Sequence, residues 1–378
     1  MHFFEKTFSS IKQIAPLSVI LMGIYNKKMM KKLTPLFLLI SFALTLSNCM
    51  GIRHISIDTR EPGRIEWSPN VLSVVVVNNV VQQPDDIGHD LLRLGYQSIE
   101  RASASSDSIA IIYTEALAQF IDEEEHFQRV LFLHTPMRTD EDFLAENPLT
   151  LDQMREILRE SRADAIISLD RLVIQTAKRE ILRQEKLLWG ELITRIQSTV
   201  RIYKPTMEGI LPAVIQSDSL SWNGFDRTKI MPHDADILPT REEAMKMIAV
   251  RAAERMTNAL SPHWASQKRW FYTSLNARMR EGVTFARGNQ WDRANESWKA
   301  AFNSARRTDK AKAATNVALA YEMLDDLENA LEWATLAHQL FEENTSPNSL
   351  ERRRALLHKN ELQRRLRNST RLLDMSGF

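Results

Sequence analysis

The spacing of the hydrophobic positions changes in the second half of this chain. Before residue 262, apolar runs of strand length alternate with helical patterns, whereas after about residue 270 the spacing is helical throughout. Residues 71–77 are apolar at every position but one and rich in valine, which is typical of a strand buried on both faces. The chain is therefore predicted to be α+β, with an N-terminal mixed α/β domain followed by an all-α domain.

The same patterns predict the individual elements of the first domain. Thr150 is an N-cap residue type directly before a helical pattern, and Asn223–Gly224 is a turn sequence. The predicted strands cover 52–57, 71–77, 130–133, 163–169, 189–203 and 213–222, and the predicted helices cover 109–120, 150–158 and 241–260. The last two strands alternate polar and apolar residues, which predicts an antiparallel meander.

This order of elements resembles a known domain. The valine-rich strand is followed by Asn78–Asn79, residues 162–167 read Arg-Ala-Asp-Ala-Ile-Ile, and an amphipathic helix closes the domain. In these features the first domain resembles the small α/β domain of envelope lipoproteins related to the curli-secretion channel lipoprotein and the TolB N-terminal domain. The alternative is that any three-layer α/β domain shows this pattern.

A repeat of 36 residues marks the second domain. Small and aromatic residues recur in register, since Gly282, Phe285, Ala294 and Ala301 return as Ala318, Tyr321, Ala330 and Ala337. This pattern, over about 270–343, resembles the tetratricopeptide repeat, a helix-turn-helix unit. A basic helix over 350–373 is expected to cap the stack.

The resemblance to tetratricopeptide repeats implies which residues bind and which pack. In that family the first helix of each repeat lines a concave face that binds a protein segment. The exposed partner-binding candidates implied for this chain are Arg278, Asn289, Thr315, Asn316 and Glu322. The repeated alanines of the second helices are expected to be buried where two helices cross closely.

The N-terminal region carries a targeting sequence. Four lysines between residues 27 and 32 precede an apolar run over 33–46, and the run leads into Leu46-Ser47-Asn48-Cys49. This order resembles a bacterial lipoprotein signal peptide, in which the thiol of the cysteine is acylated. Lipidation is therefore expected at Cys49. The alternative is an ordinary signal peptide or membrane anchor with a buried cysteine.

The lipoprotein resemblance also implies a location. Residues 1–48 are the expected signal peptide, and 1–28 are expected to be a start-site artefact, because a start at Met29 or Met30 gives a compact signal. Met50 follows the cysteine in place of the Asp that keeps such proteins in the inner membrane, and no acidic cluster comes after it. The expected location is the outer membrane, lipid-anchored and facing the periplasm.

The mature chain is expected to have two domains. They cover 49–262 and 263–378, with the boundary in the polar stretch that ends at about residue 269. Together the two halves resemble a family of uncharacterised outer-membrane lipoproteins from Gram-negative anaerobes, with an N-terminal domain of unknown function and a tetratricopeptide-like tail. That resemblance implies no catalytic residues.

Composition and charge fit a folded protein and argue against one class of partner. Hydrophobic residues make up 44% of the chain and charged residues 26%, which is typical of globular proteins. The whole chain has 49 basic and 48 acidic residues, of which six basic residues and one acidic residue lie in 1–48. The mature chain therefore has 43 basic and 47 acidic residues. This acidic excess argues against nucleic-acid binding. Cys49 is the single cysteine, so the chain has no intrachain disulfide.

Signatures of catalysis are missing from the sequence. It has no Gly-x-Ser-x-Gly, no P-loop, no Gly-x-Gly-x-x-Gly and no His-Glu-x-x-His, so we predict no catalytic residue, no metal site and no cofactor. The acidic run before His126 and the loop at 233–236 carry side chains that can bind cations, but a solvated surface explains both more simply. The aromatic residues Trp264 and 270–272 are expected where the two domains join, with sugar or peptide stacking as the alternative.

The predicted function is therefore binding. The first hypothesis is a non-enzymatic cell-envelope lipoprotein, a scaffold or assembly factor whose repeat groove binds an unidentified envelope protein. The alternatives are a regulatory lipoprotein that acts on a cell-wall synthase or an export channel through its α/β domain, and an envelope glycan hydrolase. The membrane, through the N-terminal lipid, is the other expected partner.

Overall fold

The computed structural model describes residues 51–93, 98–183, 186–204, 213–225 and 238–376. The expected signal peptide, Cys49 and the loop at 233–236 lie outside these residues. The described strands are β1 (Gly51–Glu61), β2 (Ser73–Asn78), β3 (His89–Arg93), β4 (Ser98–Arg101), β5 (Arg129–Leu133), β6 (Ala165–Arg183), β7 (Lys186–Tyr203), β8 (Val214–Phe225) and β9 (His263–Thr273). The described helices are α1 (Ile109–Glu123), α2 (Leu151–Ser161), α3 (Arg241–Leu260), α4 (Ala277–Arg287), α5 (Trp291–Ser304), α6 (Arg307–Met323), α7 (Leu327–Asn344) and α8 (Leu350–Ser376).

The described residues divide into two compact units within an α+β fold. Residues 51–57 and 267–364 form the helical unit, and residues 58–266 and 365–376 form the α/β unit. The sequence predicts β1 wholly in the first domain and α8 wholly in the second. The structure divides both elements, because β1 pairs with β9 and Met375 of α8 packs in the core of the α/β unit. Independent folding of the two sequence-predicted domains stays a prediction.

Strand β6 organises the seven-stranded sheet of the α/β unit. On one side its first half pairs in parallel with β2 and its second half in parallel with β3, while on the other side β7 runs antiparallel to it. β5 extends the sheet beyond β2, β4 beyond β3, and β8 beyond β7. The sequence predicts only 163–169 as strand. The strand continues to Arg183 because residues 170–183 keep pairing with β7 after the apolar run has ended.

The turn predicted at Asn223–Gly224 is wrong. Both residues lie inside β8, where they pair with Glu191 and Gly190 of β7. An Asn-Gly pair favours a hairpin turn only where the strands on its two sides pair with each other. Here the strand before the pair is already held by β7, so the ladder continues to Phe225.

Helices cover both faces of the sheet. Val74 and Val76 of β2 contribute to a core with residues of α1 and α3, whereas Val75 and Val77 contribute to a second core with Ile157 of α2. All four valines are completely buried. The prediction that this strand is buried on both faces is confirmed, and the α/β unit has three layers.

Capping residues define the start of two helices in the α/β unit. Thr150 and Thr240 each accept a hydrogen bond from the backbone N–H three residues further on, and the side chains of Gln153 and Glu243 bond back to the cap residue. This reciprocal arrangement satisfies two backbone donors that a helix start would otherwise leave open. The predicted N-cap role of Thr150 is confirmed.

The helical unit contains two helix pairs, α4–α5 and α6–α7, with the predicted offset of 36 residues. The first helices end at Arg287 and Met323, and the second helices begin at Trp291 and Leu327. The predicted burial of the repeated alanines is confirmed for Ala294, Ala301, Ala330 and Ala337. Membership of the tetratricopeptide family stays a prediction, as does the likeness of the α/β unit to the curli-secretion and TolB domains.

The turns within the two helix pairs are built in the same way. Asn289 and Asp325 adopt left-handed conformations with φ of 55° and 59°. The residue after each of them donates its N–H to the carbonyl of Phe285 or Tyr321, at 2.9 and 3.0 Å. This is the Schellman arrangement that ends helices, and Asn and Asp adopt the left-handed conformation more readily than most other residues. Asn289 therefore has a role in the fold that requires no partner.

The two repeats differ in one packed pair of residues. Gly282 of α4 lies against Trp298 of α5, and a Cβ atom at residue 282 would lie 2.3 Å from the indole Nε1. The second repeat has Ala318 and Ala334 at the equivalent positions, and both are buried. The residue sizes compensate within each repeat. The large indole ring of Trp298 requires glycine opposite it, whereas the small Ala334 does not.

Replacing Gly282 with Ala is expected to lower the unfolding free energy by about 1–3 kcal/mol, because the new methyl group overpacks the contact with Trp298. At an open helix position the same change raises stability by about 1 kcal/mol, so the sign of the effect identifies its cause. Urea unfolding of the chain without its signal peptide, followed by circular dichroism, measures the change.

The matched control is Gly288→Ala at the end of the same helix, where the nearest atom to an added Cβ is 3.5 Å away. This control should retain the stability of the natural chain to within about 0.5 kcal/mol. A Gly282→Ala protein that is as stable as the control would contradict the packing argument.

Candidate functional site

The five partner-binding candidates fall into two groups. Arg278 and Asn289 are exposed. Thr315, Asn316 and Glu322 are buried, with exposed fractions of 1%, 0% and 1%, so the expectation that these three are exposed is wrong. A partner-binding role for Arg278 and Asn289 stays a prediction.

Strand β9 accounts for the burial of Asn316. The backbone N–H of Tyr272 donates to Asn316 Oδ1 at 2.7 Å, and Asn316 Nδ2 donates to the carbonyl of Tyr272 at 2.8 Å. One side-chain amide therefore satisfies both backbone groups of a strand residue. The ring of Phe271 lies 6.0 Å from that of Trp298, and the ring of Tyr272 lies 6.1 Å from that of Phe341. Phe271 and Tyr272 of β9 thus belong to the core of the helical unit.

A buried ionic group holds β9 at a second point. Arg269 Nε donates to both carboxylate oxygens of Glu322, at 3.0 Å each, and His358 Nε2 lies 3.2 Å from one of them. The side chains of Arg269 and Glu322 are only 5% and 0% exposed. Burial alone would raise the pKa of Glu322, but its interactions with His358 and Arg269 outweigh burial and hold that pKa far below its usual range.

The face of α6 that the tetratricopeptide resemblance assigns to a partner is thus occupied by the chain's own β9. Asn316 and Glu322 bind this strand as they would bind a peptide. The side-chain amide of Asn316 bonds to the backbone of Tyr272, and the carboxylate of Glu322 pairs with the guanidinium of Arg269. Sequence reasoning missed this contact because Ser266-Gln267-Lys268-Arg269 has the composition of a linker. Half-buried and exposed positions alternate over 263–268 in the structure, but His263-Trp264-Ala265-Ser266-Gln267-Lys268 does not alternate apolar and polar residues, so the sequence there carries no strand signal.

The α/β unit has an open cleft at the carboxyl end of β2. Its volume is about 540 Å³. Residues 80–84 after β2, 106–111 at the start of α1 and positions between 136 and 141 after β5 line it, and Leu172 and Ile174 of β6 form an apolar part of its wall. In sheets with parallel strands, ligands bind beyond the carboxyl ends of the strands. The cleft has this position, because β2, β5 and the first half of β6 run in parallel.

The polar groups of the cleft are amides, hydroxyls, the carboxylates of Asp107 and Glu141, and one ion pair. Gln82, Asp107 and Ser108 are exposed there. Arg138 Nε donates to Asp140 Oδ2 at 2.9 Å, and this hydrogen-bonded pair raises the pKa of the guanidinium and lowers the pKa of the carboxyl. Both groups therefore carry their charges at neutral pH. The cleft offers hydrogen bonds and charged groups beside an apolar wall, a combination that is typical of binding sites.

A saturated polar network supports the loop beside the cleft. Asp170, which is 1% exposed, accepts hydrogen bonds from Asn79, Ser168 and Arg201 at 3.1, 2.6 and 2.6 Å. Asn79 also donates to the carbonyl of Asn147 at 2.9 Å. These polar groups are hydrogen-bonded to one another. The network therefore holds the end of β2 in place and has a structural role.

The other charged and aromatic candidates have structural contacts. Glu124 forms an ion pair with Arg60 at 2.9 Å, and burial, together with the nearby Arg60, lowers the pKa of His126 to about 4, so this imidazole is neutral at neutral pH. Trp264 is 63% exposed, with the Arg60 guanidinium 5.5 Å from the centre of its ring. Within the described ranges, no three His, Cys, Asp or Glu side chains are grouped so as to hold a metal ion.

No helix in the described part of the chain combines the length and the apolar character that crossing a membrane requires. A family model described as Domain of unknown function (DUF8603) matches residues 71–272, which is more than half of the chain. This chain belongs to that family. A second model, Domain of unknown function (DUF6340), matches residues 280–364. No curated protein matches the chain in sequence.

Solved structures with some likeness to this chain include three bacterial proteins. Protein XCC0632 from Xanthomonas campestris, of family-model DUF330, is 5% identical, with a TM-score of 0.25 over 53% of this chain and 89% of that chain. A minor lipoprotein from Acinetobacter baumannii is 9% identical, with a TM-score of 0.23 over 52% and 96%. A putative lipoprotein from Caulobacter crescentus CB15 is 9% identical, with a TM-score of 0.20 over 45% and 85%. At these TM-scores the likeness carries no conclusion about this chain.

Replacing Glu322 with Gln is expected to lower the unfolding free energy at neutral pH by about 3–5 kcal/mol, because Arg269 then lies buried without its main counter-charge. The folded pKa of Glu322 lies below the ordinary value of 4.5, so its contribution is complete above about pH 4.5 and declines as the pH falls. The stability difference between the natural chain and the variant should therefore shrink in acid. Urea unfolding at a series of pH values measures this difference.

The matched control for this prediction is Glu332→Gln, an exposed glutamate of the neighbouring helix α7. It should change the unfolding free energy by no more than about 0.5 kcal/mol. An equal effect of the two substitutions, or a difference independent of pH, would exclude the buried pair as the element that fixes β9.

Proposed function

We propose that this chain is a lipid-anchored protein of the bacterial cell envelope that acts by binding a partner and not by catalysis. The anchor is the acylated thiol of Cys49. The order of lysines, apolar run and Leu46-to-Cys49 motif supports it, and so does the start of the fold, since β1 begins at Gly51, only two residues after the cysteine. Signal cleavage before Cys49 would leave the folded part of the chain intact.

The proposed location is the outer membrane, with the chain facing the periplasm. Met50 supports the outer membrane, because an Asp at this position is the usual signal for retention in the inner membrane. The sequence Met50-Gly51-Ile52-Arg53-His54 contains no acidic residue, which supports the periplasmic side over surface export.

We assign the binding role to the α/β unit, and one observation carries this assignment. The face of α6 that the repeat resemblance offers to a partner is filled by β9, through Asn316 and Glu322, whereas the cleft beyond β2 is open. We therefore favour the regulatory hypothesis, in which the α/β domain acts on a cell-wall synthase or an export channel. It takes precedence over the hypothesis of a scaffold that binds through its repeat groove.

The anchor is tested by replacing Cys49 with Ser. The variant is expected to move from the membrane fraction to the soluble fraction, because the thiol that carries the lipid is gone. Mass spectrometry of the N-terminal peptide of the natural chain should find the acyl mass on Cys49. Unchanged fractionation of the variant, together with an N-terminal peptide without acyl groups, would remove the anchor from this proposal.

The binding role is tested by photocrosslinking in cells from single positions. Crosslinking residues at Gln82 and Asp107, both exposed in the cleft, are expected to capture the same envelope protein. Glu160, exposed on α2 of the same unit, is the matched control and should capture none of it. Capture from Arg278 and Asn289 but not from the cleft would return the binding role to the helical unit.

A further inference from the structure

We infer that one end of the helical unit faces the lipid surface and binds its phosphate groups. This inference rests on the proposed lipid anchor and adds what the anchor alone leaves open, namely which surface of the folded chain contacts the membrane. Three segments form this basic end: 51–54 at the start of β1, 274–281 at the start of α4, and 304–312 at the start of α6.

The length of the chain between the anchor and the fold limits where the lipid can lie. Two residue steps separate Cys49 from Gly51, and two steps span at most about 7 Å. Gly51 itself is held in place, since its N–H donates to Thr273 Oγ1 at 3.0 Å and its carbonyl accepts from the same hydroxyl at 3.0 Å. A lipid on Cys49 therefore keeps this end of the helical unit close to the headgroups.

The helix ends next to Thr273 form a continuous surface. Ser274 and Asn276 follow directly after β9, and they line a small cavity of about 210 Å³ together with Ser304, Arg306 and Lys312. The starts of α4 and α6 and the end of α5 thus meet where β1 begins. The surface nearest to the anchor is made by these helix ends.

The charge of this basic end matches a layer of lipid phosphates. Its three segments contain seven basic residues and two acidic residues, although the mature chain as a whole has more acidic than basic residues. Five of the seven are exposed: Arg53, Arg278, Arg280, Arg306 and Arg307. Leu275, which is 55% exposed, lies among them, and an apolar residue within a basic surface is typical of contact with lipid headgroups.

The turns at the opposite end of the helix pairs have an acidic excess. Residues 287–293 and 324–328 contain four acidic residues and two basic residues, Arg287 and Arg293. Helix α6 separates the two ends by about 25 Å, the length of its 17 residues. A negatively charged surface attracts the first end and repels the second, which gives the helical unit one preferred orientation on the membrane.

The single cysteine makes a direct test possible in the lipidated protein. Once Cys49 carries a lipid, a cysteine introduced elsewhere is the only free thiol. Leu275→Cys at the basic end and Glu328→Cys at the acidic end are each labelled with a fluorophore, in vesicles that contain phosphatidylglycerol and a lipid with a quencher on its headgroup. Quenching at residue 275 is expected to exceed quenching at residue 328 at least about threefold, because about 25 Å separate the two ends.

Equal quenching at the two positions, or stronger quenching at residue 328, would overturn the inferred orientation and leave the anchor intact. The natural chain distinguishes this failure from failure of the proposed function. If its Cys49 reacts with maleimide and the protein does not sediment with vesicles, the anchor is absent, and the orientation falls with it.

The role of charge is tested by reversing two exposed arginines. Arg306→Glu with Arg307→Glu, in the lipidated protein labelled at residue 275, is expected to reduce the quenching about twofold or more, because each arginine close to an anionic surface contributes to binding. The matched control is Arg155→Glu with Arg159→Glu, two exposed arginines of α2, which change the net charge equally. Equal loss of quenching in both double variants would overturn a local role of the basic end, because net charge alone would then account for it.

Discussion

The helical unit depends on the contact between α6 and β9. A stack of two helix pairs leaves an apolar face uncovered unless another element packs on it, and here Phe271 and Tyr272 of β9 supply that cover. The strand brings buried backbone groups with it, and a buried unpaired group costs about 1–3 kcal/mol. Asn316 removes this cost at Tyr272 by bonding to both its N–H and its carbonyl.

The ion pair between Arg269 and Glu322 fixes the register of that contact more than it adds to stability. Buried ion pairs gain little over apolar residues of the same volume, but breaking one leaves an uncompensated charge. A shift of β9 by one residue would turn Arg269 away from Glu322 and place another side chain against the carboxylate, since successive side chains of a strand face opposite sides. The ion pair of Arg269 and Glu322, together with His358, thus selects one register of β9. In this register β9 fills the groove beside α6.

The parts of this fold that could be predicted from sequence are those in which the buried residues are apolar and the exposed residues are polar. The period of apolar residues gave the position of β2, of α1 and α3, and of the two helix pairs, because their buried faces are apolar. It failed where buried residues are polar. The tetratricopeptide resemblance assigns Asn316 and Glu322 to an exposed face, whereas the structure buries both against β9. The strand that they bind has the composition of a linker, because Ser266-Gln267-Lys268-Arg269 is polar. The sequence does predict the turn that contains Asn289, because Gly288–Asn289 is a turn sequence between two helical patterns, although the hydrophobic pattern carries no sign of its left-handed φ.

The distribution of charge carries information that the net charge conceals. The acidic excess of the mature chain argues against a nucleic-acid partner, yet the helical unit has a basic end and an acidic end. The helices themselves do not require this separation. In antiparallel pairs each end contains both helix starts and helix ends, so their dipoles favour neither sign at either end. Arg306 and Arg307 stand at the start of α6, where a helix alone would favour acidic residues. The acidic residue in the first turn of α6, Asp309, forms an ion pair with Lys312. An anionic surface close to Gly51 supplies a counter-charge for Arg306 and Arg307 at the end of the unit nearest to Cys49.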